Sequence, residues 1–307
     1  MPLHPQAQAV VEGNTWNSVD PDEIGIDALR ATMNARLIEL AGTGPEVAMV
    51  ADFAIDSGTA KIPMRVYRPR PSGIPLPAFV YFHSGGYCVY DIDTADAQCR
   101  VIANQADCVV VSVGYRLAPE ARFPAAVDDA WAALRWVASH SQDIGIDGRT
   151  LAVGGESCGG TLATVCALLA RDAGKPVLRA AVLSCALLMM GPARVGEKKT
   201  LATWMRDQYL RKAEDAVDWR ASPMRRPDLE GLPPHLLITG EFDGLREQAY
   251  AYAEGLNEAG NRTEIADFPG MIHNFTGMRA ALDDADAGLA LTARFLREAF
   301  AESPGTA

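Results

Sequence analysis

The spacing of apolar residues changes several times along the chain, and each change marks an element. Over residues 27–42, Leu29, Met33, Leu37 and Leu40 fall on one face at helical intervals, which predicts a helix with Asp27 capping its start and Gly42 ending it. From Val47 onward the runs become short and β-rich, at 49–55, 62–67, 78–83 and 109–113, with Gly, Pro and Asp turns between them. Helical spacing returns at 125–140 and 161–170, and apolar strand-like runs at 151–153, 180–185, 236–239 and 265–268. Helices are predicted again at 246–259 and 280–301. Alternation of this kind predicts an α/β protein built on a mostly parallel sheet with helices on both faces, with ligands bound at the carboxyl ends of the strands. About fifty residues between the runs at 185 and 235 break the rhythm. They include an amphipathic stretch at 200–219 with Leu201, Trp204, Met205, Tyr209 and Leu210, and an excursion of that length predicts a lid or cap.

Composition narrows the function. The chain has 307 residues, 49% of them hydrophobic and 22% charged, so it is long enough for a sizeable core. A formal charge of −11 sets up a field that repels phosphate backbones and anionic lipid, which argues against a nucleic-acid partner. No basic segment followed by an apolar run opens the chain and no eighteen uncharged apolar residues occur in a row, so stable membrane association is not expected and a cytoplasmic location is. The six cysteines form no CxxC pair and several lie within apolar runs, as buried free thiols do.

Chemistry enters at Gly155-Glu156-Ser157-Cys158-Gly159, where Ser157 alone among the serines has glycine at both the −2 and +2 positions. A strand run leads into it and a helical run leaves it, the context of a nucleophile elbow. Side chains at the flanking glycines would clash in a turn sharp enough to expose the serine oxygen, and the helix N-terminus beyond it favours negative charge. The spacings of phosphate loops are absent. Cys158 is expected to point along the helix start and to act through its backbone N–H. An acyl-transfer serine also needs preorganised donors for an oxyanion, each worth about 3 kcal/mol. His83-Ser84-Gly85-Gly86-Tyr87, following the run at 78–82, offers bare backbone amides at Gly85 and Gly86.

With these segments in view, the chain resembles the hormone-sensitive-lipase-like branch of the α/β-hydrolases, the bacterial family IV esterases. The family's HGGG loop reads here His83-Ser84-Gly85-Gly86, and its GDSAGG elbow reads Gly155-Glu156-Ser157-Cys158-Gly159-Gly160. Tyr115-Arg116-Leu117-Ala118-Pro119-Glu120, with Phe123, Pro124, Asp128 and Asp129, matches a further recurring segment. Glu241-Phe242-Asp243-Gly244-Leu245-Arg246 is similar to the family's acid-bearing stretch, and Pro269-Gly270-Met271-Ile272-His273-Asn274-Phe275 to its histidine loop. The likeness runs over roughly residues 45–300. Ser84, Glu156, Cys158 and Gly244 depart from the pattern, and none of them removes a reacting group.

The resemblance implies an eight-stranded α/β-hydrolase fold with a core at 46–188 and 223–307 and a helical cap made of 1–45 and 189–222. It implies a triad of Ser157, Asp243 and His273 in the chain order serine, acid, histidine, with oxyanion donors at Gly85, Gly86 and Cys158. Taken alone, a loop histidine such as His273 is more often ordinary than catalytic, and Asp243 also reads as a helix cap for Leu245 onward. Tyr87, Trp204, Met205 and Tyr209 either line the acyl pocket or pack the cap onto the core, and the Ser84 hydroxyl adjusts either the oxyanion hole or that pocket. The expected reaction is hydrolysis of short- to medium-chain acyl esters through an acyl-enzyme, with no metal or organic cofactor, a small-molecule ester as partner and a homodimer as the family's assembly. An amidase, lactonase or deacetylase would use the same triad. A noncatalytic ligand-binding protein on this fold typically lacks the serine or the histidine.

Overall fold

In the computed structural model of the protein, residues 2–13, 21–71, 73–191 and 200–302 are described. The predicted segments at 1–45 and 189–222 therefore fall partly outside the described residues, at Met1, 14–20 and 192–199, as do Ser72 and the last five residues of the core.

Eight strands form one sheet in the order β1-β2-β4-β3-β5-β6-β7-β8. They are β1 (Met49–Asp56), β2 (Lys61–Arg68), β3 (Leu76–Phe82), β4 (Val109–Val113), β5 (Ile146–Glu156), β6 (Leu178–Ser184), β7 (His235–Phe242) and β8 (Thr263–Ile272). β2 runs antiparallel to β1 and β4, and every other neighbouring pair is parallel. Buried on both faces, the central strands β3 and β4 are apolar at nearly every position, Ser112 being the polar exception in β4. Alternate residues serve opposite layers: Val80, Phe82, Val109, Val111 and Val153 belong to one apolar cluster, and Phe79, Tyr81, Val110 and Ala152 to the other.

The helices are α1 (Pro5–Glu12), α2 (Pro21–Ile24), α3 (Ile26–Ala41), α4 (Asp96–Ala106), α5 (Ala125–Ser139), α6 (Cys158–Ala173), α7 (Leu201–Tyr209), α8 (Arg246–Glu258) and α9 (Asp283–Ala301). Buried residues of α3, α5, α6, α7 and α8 join the first cluster, those of α1, α4 and α9 the second. The sheet is thus covered on both sides.

Several predicted boundaries shift for physical reasons. Gly25, not Asp27, precedes the first residue of α3; Asp27 lies in the first turn, where its charge still suits the helix N-terminus, and Gly42 is the C-cap as expected. Leu40 is half-buried, with Ala41 taking the buried position beside it. β5 extends well before Leu151 because its polar start pairs with β3 across a register shift. Within the amphipathic stretch at 200–219, helix α7 ends at Tyr209. Asp215 then takes the Arg211 backbone N–H and Asp218 that of Arg220, local bonds that favour turns over helix. α4 is not anticipated, since its buried face mixes Ala97, Cys99, Ala103 and Ala106 with polar Gln98 and only two large apolar residues, Val101 and Ile102, which blurs the apolar period.

Candidate active site

The loops after β3, β5, β7 and β8 meet at the carboxyl edge of the sheet, and each carries one part of the site. After β5 the chain turns into α6 through Ser157, which is held at φ 56° and ψ −119°. That left-handed angle is unusual for a residue with a side chain, and here the surroundings enforce it. A side chain at Gly155 would run into the carbonyl oxygens of Gly159 and Phe82, and one at Gly159 into that of Phe82. The Ser157 N–H donates to Ser184 at 2.9 Å, and its carbonyl accepts from Leu187 and Gly160, each at 3.0 Å. The backbone is therefore fixed on both sides while the hydroxyl stays free to face the His273 loop.

His273 follows β8 directly. Its Nε2 lies 3.0 Å from Ser157 Oγ, and its Nδ1 lies 3.0 Å from each carboxylate oxygen of Asp243. Asp243, at the end of β7, has only 1% of its side chain exposed and also accepts the Leu245 N–H at 2.8 Å. It thus both faces the imidazole and caps the turn. Burial raises the Asp243 carboxyl, but the hydrogen bond and charge of His273 and the Leu245 N–H outweigh this and hold it below its ordinary value. The His273 imidazole experiences the converse: burial disfavours its charged form, and Asp243, with Glu156 behind it, raises it above the usual histidine value. With Asp243 ionised, the Nδ1 proton points at the carboxylate and Nε2 is left to accept from Ser157. Its side chain remains 41% exposed, open to a substrate.

After β3, Gly85 and Gly86 adopt φ angles of 120° and 57°. The Gly85 carbonyl accepts from both Cys88 and Val89 N–H at 3.0 Å, which closes the turn so tightly that a side chain on Gly85 would overlap the Val89 carbonyl. His83 stacks on Tyr115 with ring centroids 4.3 Å apart, and the Tyr115 hydroxyl donates to the His83 carbonyl at 2.8 Å. Burial, opposed by the bond to the Ser84 carbonyl, brings the His83 imidazole down to about 4, so it is neutral.

Cys158 corrects an expectation. Its side chain does not run along the helix start but tucks under this loop, where Sγ accepts the Tyr87 N–H at 3.4 Å and lies 3.5 Å from the Tyr115 hydroxyl. Burial raises its thiol, which leaves it no thiolate nucleophile.

The remaining predicted residues divide. Ser84 is buried in the loop. The Tyr87 and Tyr209 rings stack in parallel 3.7 Å apart, and Met205 packs against Gly86. Trp204 turns away to donate its Nε1–H to Asp22 at 2.7 Å. A surface groove of about 810 Å³ bordered by Trp131, Trp136 and Lys175 contains none of the site residues.

Three groups escaped sequence reasoning. Glu156, 1% exposed, accepts from the Thr276 hydroxyl at 2.7 Å, and burial drives its carboxyl up to about 7. Cys185, buried at φ 45°, places its sulfur within 4.8 Å of Asp243 and His273; these three are the group among the described residues that could hold a metal ion. Arg30 reaches the loop after β3 from α3. Only Glu156 carried a sequence signal, through its place beside the serine.

A family model described as the α/β hydrolase fold matches residues 79–277. The ethyl acetate hydrolase of Pseudomonas putida is 34% identical over 306 residues, covering 95% of this chain and 96% of that protein. Carboxylesterase NlhH of Mycobacterium tuberculosis is 36% identical over 255 residues, 78% of this chain and 80% of its own. Among solved structures, a hyperthermophilic esterase from Pyrobaculum calidifontis superposes with a TM-score of 0.89 at 34% identity, over 97% of this chain and 99% of that one. This chain belongs to the α/β-hydrolase family, in its hormone-sensitive-lipase-like, family IV esterase branch.

Proposed function

We propose that the protein is a carboxylesterase for short- to medium-chain acyl esters, with Ser157 as nucleophile, His273 as general base and acid, and Asp243 as the group that orients and stabilises the imidazolium. The reading is carried by the unbroken chain of 3.0 Å contacts from Ser157 Oγ through the two ring nitrogens of His273 to Asp243. As Oγ attacks the ester carbonyl its proton passes to Nε2, and the tetrahedral oxyanion is met by the backbone N–H groups of Gly85, Gly86 and Cys158. Nε2–H then protonates the departing alcohol. Water attacks the acyl-enzyme along the same path and releases the acid.

The described parts of 1–45 and 189–222 form the cap in this reading, over a core at 46–188 and 223–307. The buried stack of Tyr87 on Tyr209 and the contact of Met205 with Gly86 leave little width beside the loop, which supports short acyl groups. So does the similarity to an enzyme named for ethyl acetate.

A fluorophosphonate probe followed by peptide mapping is expected to modify Ser157, and Ser157→Ala to lower kcat by about 10⁶-fold. Short p-nitrophenyl esters should be hydrolysed faster than long-chain emulsions, amides or lactones. Labelling elsewhere, or an active Ser157→Ala variant, would sink the assignment.

A further inference from the structure

Helix α3, which the periodicity places outside the α/β core, reaches the loop after β3 with two side chains one helical turn apart. Arg30 donates from Nε to the Cys88 carbonyl at 2.8 Å and from Nη2 to the Ala118 carbonyl at 2.9 Å, and forks onto the two Glu120 carboxylate oxygens at 2.9 and 2.7 Å. Asn34 accepts the Tyr90 N–H at 3.0 Å and donates to the Asp91 carboxylate at 2.8 Å.

The Cys88 carbonyl held by Arg30 shares a peptide with the Val89 N–H, and that N–H donates to the Gly85 carbonyl at 3.0 Å. The Gly85 carbonyl in turn shares a peptide with the Gly86 N–H. Guanidinium, peptide 88–89 and peptide 85–86 therefore make one head-to-tail chain of hydrogen bonds that ends on Gly86 N–H. A second path joins it: Ala118, whose carbonyl Arg30 also holds, donates its N–H to the Tyr87 carbonyl at 2.8 Å, and Cys88 N–H of that same peptide donates to Gly85 at 3.0 Å.

We propose that Arg30 is a positioning residue for the oxyanion hole, fixing and polarising the Gly86 N–H through these linked peptides. The proposal rests on the assignment of Gly86 as an oxyanion donor under Proposed function. Two effects act together. Gly85 and Gly86 have no side chains to hold them at positive φ, so the carbonyl anchors set the direction of the N–H. A cation at the head of a hydrogen-bonded amide chain also strengthens each donor along it. Glu120 only partly offsets the charge, because its own side chain is 58% exposed and solvated.

The test compares the full-length wild type with Arg30→Met, which keeps the length of the side chain and removes its donors. Expected are a fall in kcat of about 10-fold or more, a KM within about 2-fold of wild type, and an equal weakening of a trifluoromethyl ketone, whose adduct with the serine places an oxyanion in the hole. In Arg30→Ala, added guanidinium should restore part of kcat and methylammonium should not. If Arg30→Met does not fold, Arg30→Lys, which keeps the cation but not the fork, carries the same comparison with an intermediate loss. Unchanged kcat and ketone affinity in a folded variant overturn the proposal while Ser157 labelling stands. A wild-type enzyme that fails to bind the ketone or to label at Ser157 overturns the triad and oxyanion assignment, and this proposal with it.

Discussion

Glu156 sits immediately before Ser157, the proposed nucleophile, and nothing about its chemistry requires it to be charged there. One carboxylate oxygen accepts from Thr276, the other has no hydrogen-bond partner among the described residues, and the side chain is buried, with Asp243 among the charges acting on it. Burial is the main reason its carboxyl rises to about 7 from the ordinary 4.5, with Asp243 adding to it and Thr276 and His273 opposing it. A carboxyl raised in the folded state favours folding most below the unfolded value and loses that contribution as pH climbs through the folded one. Stability should therefore decline between about pH 4.5 and 8, and Glu156→Gln, neutral throughout, should flatten the decline. His273, also raised, titrates toward the same side, so part of the slope persists in the variant. Thermal melts of both proteins across that range are the check, and parallel curves would mean that Glu156 does not titrate in the window. The residue scale is also where the sequence was most and least legible. Ser157 was visible because its glycines are a local steric requirement. Arg30 was invisible because its partners, Cys88, Ala118 and Glu120, lie far along the chain and two of them are backbone carbonyls that no side-chain pattern reveals.

At the scale of elements, α7 behaves as a strut fixed at several points. Thr200 and Thr203 form a reciprocal cap at its start. Trp204 is bonded to Asp22 of α2, the Cys88 thiol donates to the Met205 carbonyl at 3.6 Å, and Tyr209 stacks on Tyr87 while its carbonyl accepts the Phe123 N–H at 2.8 Å. The bond to Asp22 joins residues 182 positions apart, and thus ties the two segments expected to form the cap. Trp204→Phe keeps most of the apolar volume and removes that bond, so a loss of about 1 kcal/mol is expected, together with faster proteolytic cleavage near α7. Denaturant titration and limited proteolysis measure the two. Unaltered proteolysis would show that the remaining contacts alone hold the helix. Strands and long helices were readable from periodicity because their faces are large and apolar. The end of α7 and the whole of α4 were not, since the first is decided by aspartate side chains competing for backbone N–H groups and the second buries mostly small residues beside Gln98, Val101 and Ile102.

Over the whole molecule, a charge of −11 and a sheet with the candidate triad at one edge make a prediction about substrates. A neutral soluble ester feels the net field little, whereas an ester bearing a carboxylate is repelled on approach. Raising the salt from about 20 to 500 mM shortens the screening length severalfold. It should therefore raise kcat/KM for the anionic ester and leave the neutral one nearly flat. A falling curve for the anionic ester would mean that local positive potential at the mouth of the site dominates. No helix among the described residues is long and apolar enough to cross a membrane.

The sequence by itself determined the alternation of strands and helices and the sharp turn at Ser157, because each depends on residues near one another in the chain. Only the tertiary structure decided the rest. It brought His273 within 3.0 Å of both Asp243 and Ser157, turned the Cys158 side chain beneath the loop after β3 and not along the helix start, neutralised His83 and set Arg30 on the Cys88 and Ala118 carbonyls. Those outcomes follow from burial and from hydrogen bonds between distant backbone groups, and neither leaves a period or a motif in the chain.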